Sequence, residues 1–287
     1  MNRILRCAYK SQAGTKRRNA CNQDALLCMP RLHGFRYQYL FAVFDGHGSF
    51  GHEVSSHARE ALQTFIEEGL LRTANAAVLV NVLKQAVART AERIEALPVN
   101  TAYSGTTLTA VLVSGSDLIC ANVGDSRAVT GKLVNSQWVA CDLTNDHKPS
   151  VEDERQRILK ANGRIHPMYN SQEVPVGPER VWLQNEDGPG LAMTRSIGDL
   201  VAHSVGVSSE PEITCYKLKP EDRFLIIATD GLWEMLDSQA AVELVGAELK
   251  TGVSDRSCSQ LIKEATIRWE ESGHRVDDIT VIVVFLA

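Results

Sequence analysis

The sequence predicts an α+β fold in which mainly antiparallel strands are layered with helices. Three observations lead there. Apolar runs of strand length recur through the chain, at residues 37–44 (YQYLFAVF), 106–113 (TTLTAVLV), 117–123 (DLICANV), 224–229 (FLIIAT) and 279–286 (ITVIVVFL), and such runs suit buried strands. Segments 52–68, 75–97, 150–162, 238–249 and 257–271 instead carry apolar residues at helical spacing. The strands fall in groups joined by hairpin-like turns such as VSGSD at 113–117, which favours antiparallel pairing over alternating βαβ crossovers.

The first strand run feeds FDGHGSFG, where Gly46, Gly48 and Gly51 spell G-x-G-x-x-G ahead of helix 52–68. A dinucleotide-binding turn needs a second parallel strand after that helix, ending near an acid. Here helix 75–97 follows instead, and Asp45 would set a negative charge beside a pyrophosphate. The glycines are therefore read as freeing Asp45 and His47 for chemistry at a strand end. Helix 150–162 has clear punctuation: Ser150 is placed to cap it, Glu152 and Asp153 follow, and Gly163 stands where a left-handed residue is wanted. Residues 163–190, rich in Gly and Pro, read as a long functional loop.

Composition narrows the function. Of 287 residues, 44% are hydrophobic and 23% charged, the balance of a folded globular protein. A formal net charge of -5 without a long basic run argues against a nucleic-acid binder, which needs a concentrated basic face. Seven scattered cysteines without a C-x-x-C pair disfavour a disulfide framework or zinc ribbon and fit a reducing intracellular compartment, cytoplasm or nucleus. The opening MNRILRCAYK is too short in apolar residues for a signal peptide, no segment reaches membrane-span length, and Asn2 rules out a myristoyl signal. One domain over 1–287, monomeric and without membrane insertion, is the expectation.

The ends of the strands carry the chemistry. YLFAVFDG ends in Asp45-Gly46 and FLIIATDG in Asp230-Gly231, Asp277 and Asp278 immediately precede the last strand, and Asp125 and Asp24 flank further apolar segments. In a compact fold these acids meet at one rim of the strands. Two like charges about 4 Å apart repel by about 4 kcal/mol at an effective dielectric near 20, a conflict that a dication removes. Oxygen donors without cysteine or clustered histidine suit Mg²⁺ or Mn²⁺ rather than zinc. The alternative is that the aspartates are turn residues flanking strands.

The ordered set NQDA (22–25), VFDGHG (43–48), SGTTLTAVL (104–112), ANVGDSRAV (121–129), LTNDHKPSVEDERQRI (143–158), LAMTRSIGD (191–199), ATDGLWE (228–234) and DDIT (277–280) resembles the type-2C metal-dependent Ser/Thr protein phosphatases. The resemblance implies an α/β/β/α sandwich, two stacked antiparallel sheets flanked by helices, with two core ions between the sheets and phosphorylated proteins as substrates. It implies that Asp45 bridges both ions, that the Gly46 carbonyl joins it on one, and that Asp230 and Asp277 hold the other. Asp24 would act through water, and Asp125 with Asp230 and Glu234 would supply a third, weaker position. The implied reaction is hydrolysis of phosphoserine or phosphothreonine by a metal-activated water without a phosphoenzyme, with His47 as general acid for the leaving oxygen. Segment 163–190 falls where the family carries a flap, which makes Trp182 either a substrate contact or a local packing anchor.

This sequence departs from the family pattern in places. The phosphate-gripping arginine expected five residues before Asp24 is Asn19 here, so Arg17 and Arg18 are both candidates. Gln23 replaces a commoner glutamate, and Glu234 a commoner aspartate. A rival enzyme class, the cysteine-dependent phosphatases, would use Cys120 and Arg127, but six residues separate them where that chemistry uses five. The remaining alternative is a catalytically silent relative acting as a binding module; such members typically lose core acids, and Asp45, Asp230 and Asp277 are retained.

Overall fold

The structure, a computed structural model, describes residues 3–15, 21–30, 32, 38–69, 75–251 and 256–287. In chain order come β1 (Ile4–Gln12), β2 (Asp24–Met29), β3 (Gln38–His47), α1 (Gly51–Gly69), α2 (Ala76–Glu95), β4 (Gly105–Thr106), β5 (Leu108–Ser114), β6 (Asp117–Val123), β7 (Arg127–Val134) and β8 (Gln137–Asp142). Then follow α3 (Glu152–Lys160), β9 (Arg164–Tyr169), β10 (Pro175–Trp182), β11 (Pro189–Leu191), β12 (Ile197–Gly198), α4 (Leu200–His203), β13 (Glu212–Lys217), β14 (Asp222–Ala228), α5 (Asp230–Trp233), α6 (Ser238–Thr251), α7 (Ser257–Glu271) and β15 (Ile279–Leu286).

Two sheets stack face to face. One runs β1-β15-β14-β7-β8; the other runs β12-β4-β3-β5-β6-β13, with β2 on the free side of β3. All the pairings between these strands are antiparallel. Successive strand side chains point to opposite faces, and β3 uses both. Phe41 and Val43 meet Ile227, Ile282 and Val284 in the layer between the sheets. Leu40, Ala42 and Phe44 pack outward against Leu62 and Leu83 of α1 and α2. The other sheet repeats the arrangement with Ile226, Val281 and Val283 against α6 and α7. Full burial on both faces explains why these strands read as continuous apolar runs, each large side chain contributing about 1.5–3 kcal/mol. The result is the α/β/β/α sandwich.

Local details correct the sequence reading. The N-cap of α3 is Val151, not Ser150, and no side chain caps it; Glu152, Asp153 and Glu154 in its first turn favour the positive end of the helix dipole instead. Asn162 (φ 62°), not Gly163, takes the left-handed conformation. Gly163 is required by proximity, since a Cβ there would lie 2.6 Å from Ile158 Cγ2. Residues 163–190, read as a loop, mostly form the small antiparallel sheet β11-β10-β9. Among the described residues no helix is long and apolar enough to cross a membrane.

Candidate active site

The β2–β3 register sets Asp24 directly opposite Asp45, a pairing of like charges that would destabilise an ordinary hairpin. Beyond Asp45, Gly46 pairs with Thr106 and His47 with Gly105 of β4. Asp45 is pinned on both sides of its peptide, its N–H donating to Thr107 Oγ1 (3.0 Å) and its carbonyl accepting from the Thr107 N–H (2.9 Å). Gly46 has no room for a side chain, because a Cβ would run into the backbone oxygens of Gly51 and Gln23. At the facing sheet, Asp230 follows β14 and opens α5, while Asp277 and Asp278 precede β15. A Cβ on Gly231 would collide with the Asp278 carbonyl, so that glycine lets the two acid-bearing segments touch.

A cavity of about 600 Å³ opens between these strand ends. Asp45, Gly46, His47, Asp230, Glu234 and Asp277 all line it. Asp24 and Asp125 are not among the residues that line it. Burial, then the charges of Asp230 and Asp24, hold the Asp45 carboxyl well above the usual carboxylate range. Asp24 is raised likewise, first by burial and then against hydrogen bonds to Thr280 and Thr229 that favour its anion. Asp125, 2% exposed, is pushed up to about 7 by burial and by Asp230.

Oxygens Asp24 Oδ1, Asp125 Oδ1 and Asp230 Oδ1 are buried without a hydrogen-bond partner among the described residues. An unsatisfied buried carboxylate oxygen is costly. Such oxygens, all from carboxylates, fit a hard cation. Among the described residues no group of three or more His, Cys, Asp or Glu is arranged so that it could hold a metal ion.

Several contacts that the sequence did not disclose shape this rim. Asp278 clamps the chain, accepting the N–H groups of Gly14 (2.7 Å) and Gln23 (2.8 Å). Gln23 donates its side-chain amide to the Gly48 carbonyl (2.9 Å), a bond a glutamate could not make. Lys148 Nζ lies 3.5 Å from Asp146 and 3.9 Å from Asp125, bringing a cation to the acid expected at the third metal position. Asp199 bonds His47 Nε2 at 2.5 Å. Burial opposes the imidazolium, but the charge and hydrogen bond of Asp199 outweigh it and leave His47 above the ordinary histidine value.

Arg17 and Arg18 lie outside the described residues. The Asp278 bonds to Gly14 and Gln23 suggest a test. Asp278→Ala is expected to lower Tm by about 6–24 °C in a thermal melt, since its two hydrogen bonds to a charged group contribute about 1.5–3 kcal/mol each.

A family model described as Protein phosphatase 2C matches residues 9–271. The chain belongs to the protein phosphatase 2C family. Probable protein phosphatase 2C 64 of Oryza sativa subsp. japonica is 36% identical over 278 residues, covering 94% of this chain but 63% of the relative's own length. Probable protein phosphatase 2C 35 of Arabidopsis thaliana is 35% identical over 281 residues, 92% of this chain and 78% of the relative. In fold, the crystal structure of serine-threonine phosphatase 2C from Toxoplasma gondii superposes with a TM-score of 0.84 at 20% identity, over 98% of this chain and 94% of that one.

Within the phosphatase 2C frame, two alternatives left open by the sequence close. Trp182 stacks on His166 at 4.9 Å with rings 3° from parallel and donates its indole N–H to the His166 carbonyl (2.8 Å), so it anchors the small sheet. Cys120 is fully buried in β6, and burial pushes its thiol up to about 12. Such a thiol stays protonated and is a poor nucleophile. His52 and His57 sit outside the cavity, 3.9 Å from Glu53 and 4.0 Å from Glu60.

Proposed function

We propose that this chain is a metal-dependent protein phosphatase that hydrolyses phosphoserine and phosphothreonine in proteins. The observation that supports this reading is the meeting of half-buried Asp45, Asp230 and Asp277, from distant parts of the sequence, at one cavity, with Asp230 Oδ1 buried without a hydrogen-bond partner among the described residues. In this reading Asp45, the Gly46 carbonyl, Asp230 and Asp277 hold two Mg²⁺ or Mn²⁺ ions, with Asp24 acting through water and Asp125, Asp230 and Glu234 forming a third, weaker position. Bound there, the ions would neutralise the acids and supply Lewis-acid activation of water toward a phosphate ester.

The chain's own residues do the rest. The Asp45 backbone is held by its two bonds to Thr107, which fixes the point from which its carboxylate reaches into the cavity. His47 serves the leaving oxygen as proton donor. Arg17 or Arg18 grips the substrate phosphate. The small sheet β9–β11, whose Met168, Val176 and Pro178 line the cavity, acts as a flap over the substrate. The whole forms one catalytic domain, monomeric and intracellular, consistent with seven free cysteines.

Metal removal tests the reading in two ways. Protein stripped with EDTA is expected to hydrolyse a phosphothreonine peptide only after Mn²⁺ or Mg²⁺ is restored; no hydrolysis at saturating Mn²⁺ would favour the silent binding module. Stability gives an independent readout. Folded Asp24, Asp45 and Asp125 keep protons that an unfolded chain releases near pH 4. The metal-free protein therefore loses stability as pH rises from about 4 through the folded values, about 7 for Asp125. Tm in EDTA is expected to fall between pH 5 and pH 8. Mn²⁺ displaces the protons, so its presence should flatten or reverse that slope.

A further inference from the structure

Asp199 closes the LAMTRSIGD segment, and the fold brings it to His47 across three strands. β12 pairs with β4 through Gly198 and Gly105, and Gly105 pairs in turn with His47. The chain leaves β12 at residue 199, beside the imidazole, where Asp199 Oδ2 meets His47 Nε2 at 2.5 Å. Asp199 is 2% exposed, so its charge is little screened by water.

The surroundings fix that carboxylate. The Asp199 N–H donates to the Ser104 carbonyl (3.0 Å). Its φ of 50° is left-handed, a conformation that disfavours a non-glycine residue and persists where neighbours over-determine it. Gly105 is the complement, because a Cβ there would collide with Asp199 Oδ2. His47 Nδ1, by contrast, is buried without a hydrogen-bond partner among the described residues. Catalytic hydrogen bonds of this kind commonly form only when substrate arrives.

We propose that Asp199 is a positioning residue: its carboxylate accepts a hydrogen bond from His47 Nε2–H and orients the ring so that Nδ1 serves the leaving oxygen. The proposal rests on the reading of His47 as proton donor. In the step it serves, water oxygen bonds to phosphorus as the P–O ester bond breaks. The bond's electron pair goes to the serine or threonine oxygen, which takes the Nδ1 proton. The ring is left neutral, its Nε2 proton still on the ring and hydrogen-bonded to Asp199, and a proton from the water restores Nδ1–H. This is the division of labour by which a carboxylate fixes an imidazole's tautomer and orientation without itself being protonated.

The test compares a phosphothreonine peptide, whose leaving alkoxide needs a proton, with 4-nitrophenyl phosphate, whose leaving phenolate does not. Asp199→Asn is expected to lower kcat on the peptide about 10- to 100-fold with KM little changed, and to lower the aryl ester rate far less. His47→Ala should show the same split, and adding Asp199→Asn to it should cost nothing further. If His47→Ala splits the two substrates but Asp199→Asn does not, or if the two losses multiply, the positioning role is overturned. Equal losses on both esters for His47→Ala would overturn the proton-donor reading itself. Nitrogen-15 spectra of the wild-type ring need no variant: Nε2 is expected to stay protonated from pH 6 to pH 9, and a bare Nε2 with a protonated Nδ1 overturns the proposal.

Discussion

Asp45→Asn is expected to lower Mn²⁺-dependent hydrolysis of a phosphothreonine peptide by about 10³-fold or more, while making the metal-free protein more stable at pH 8. The first effect follows from the place proposed for this carboxylate among the ion ligands. Losing one anionic ligand would weaken ion binding and the Lewis-acid stabilisation the ions would supply, and a factor of 10³ corresponds to about 4 kcal/mol. The second follows from the site's electrostatics. Asp45 faces Asp24 across the hairpin and feels Asp230 and Asp277 as well, so without cations its ionisation works against folding. A neutral amide of nearly the same shape removes that repulsion. The two measurements are a Mn²⁺ titration of peptide turnover and a pair of thermal melts, in EDTA and in Mn²⁺. Wild type should gain Tm on adding Mn²⁺, by an amount that grows with the logarithm of the Mn²⁺ concentration over its Kd, and the variant should start higher and gain less. A variant less stable than wild type in EDTA would contradict the picture of an acid cluster awaiting cations.

Such opposed effects on activity and stability mark the places where local rules fail for functional reasons. Strand pairing disfavours Asp opposite Asp, and interiors disfavour unpartnered carboxylates. Both violations coincide here at one cavity. The carboxylates were visible in the sequence because they sit at the ends of strands whose doubly buried faces give unbroken apolar runs, as in β3, β14 and β15. Strands with one exposed face were harder to see. β1 and β8 are edge strands with mixed burial, and their side chains follow neither an apolar run nor a clean alternation.

The supporting contacts were hidden for another reason. Asp278 looked like a second acid beside Asp277, and only the fold shows its carboxylate bonded to the N–H groups of Gly14 and Gln23, more than 250 residues away in sequence. Asp199 lies 152 residues from His47, and nothing local in LAMTRSIGD announces that it meets an imidazole. Ser150 misled because Ser is a good cap in isolation, whereas the helix actually starts two residues later. Long-range hydrogen bonds depend on register and topology, which local patterns do not encode.

Glu154 is the strongest case of a role invisible in sequence, and Glu154→Gln is expected to cost about 2–4 kcal/mol of stability. The residue is 4% exposed. Its carboxylate receives Arg157 at 2.7 and 2.8 Å, Arg195 at 2.7 Å and the Thr194 hydroxyl at 2.5 Å. Those partners tie α3 to the strand segment that leads into β12 and Asp199. Burial favours the neutral acid, but the hydrogen bonds from Arg157, Arg195 and Thr194 together hold the Glu154 carboxyl well below the usual carboxylate range. A glutamine keeps the shape but removes the charge, leaving two arginines that are 32% and 18% exposed without their counterion. Arg157 is exposed enough for water to recover part of the loss, which sets the estimate below that for a fully buried pair. For a chain of this size the shift corresponds to roughly 4–16 °C in Tm. The stabilisation is present above the unfolded carboxyl value of about 4.3 and is lost as pH falls below it toward the folded value. Melts of wild type and variant should thus differ by a constant amount from pH 8 to pH 5.5 and converge in stronger acid. A difference that grew as pH fell would show that the carboxylate is not the group holding the two arginines.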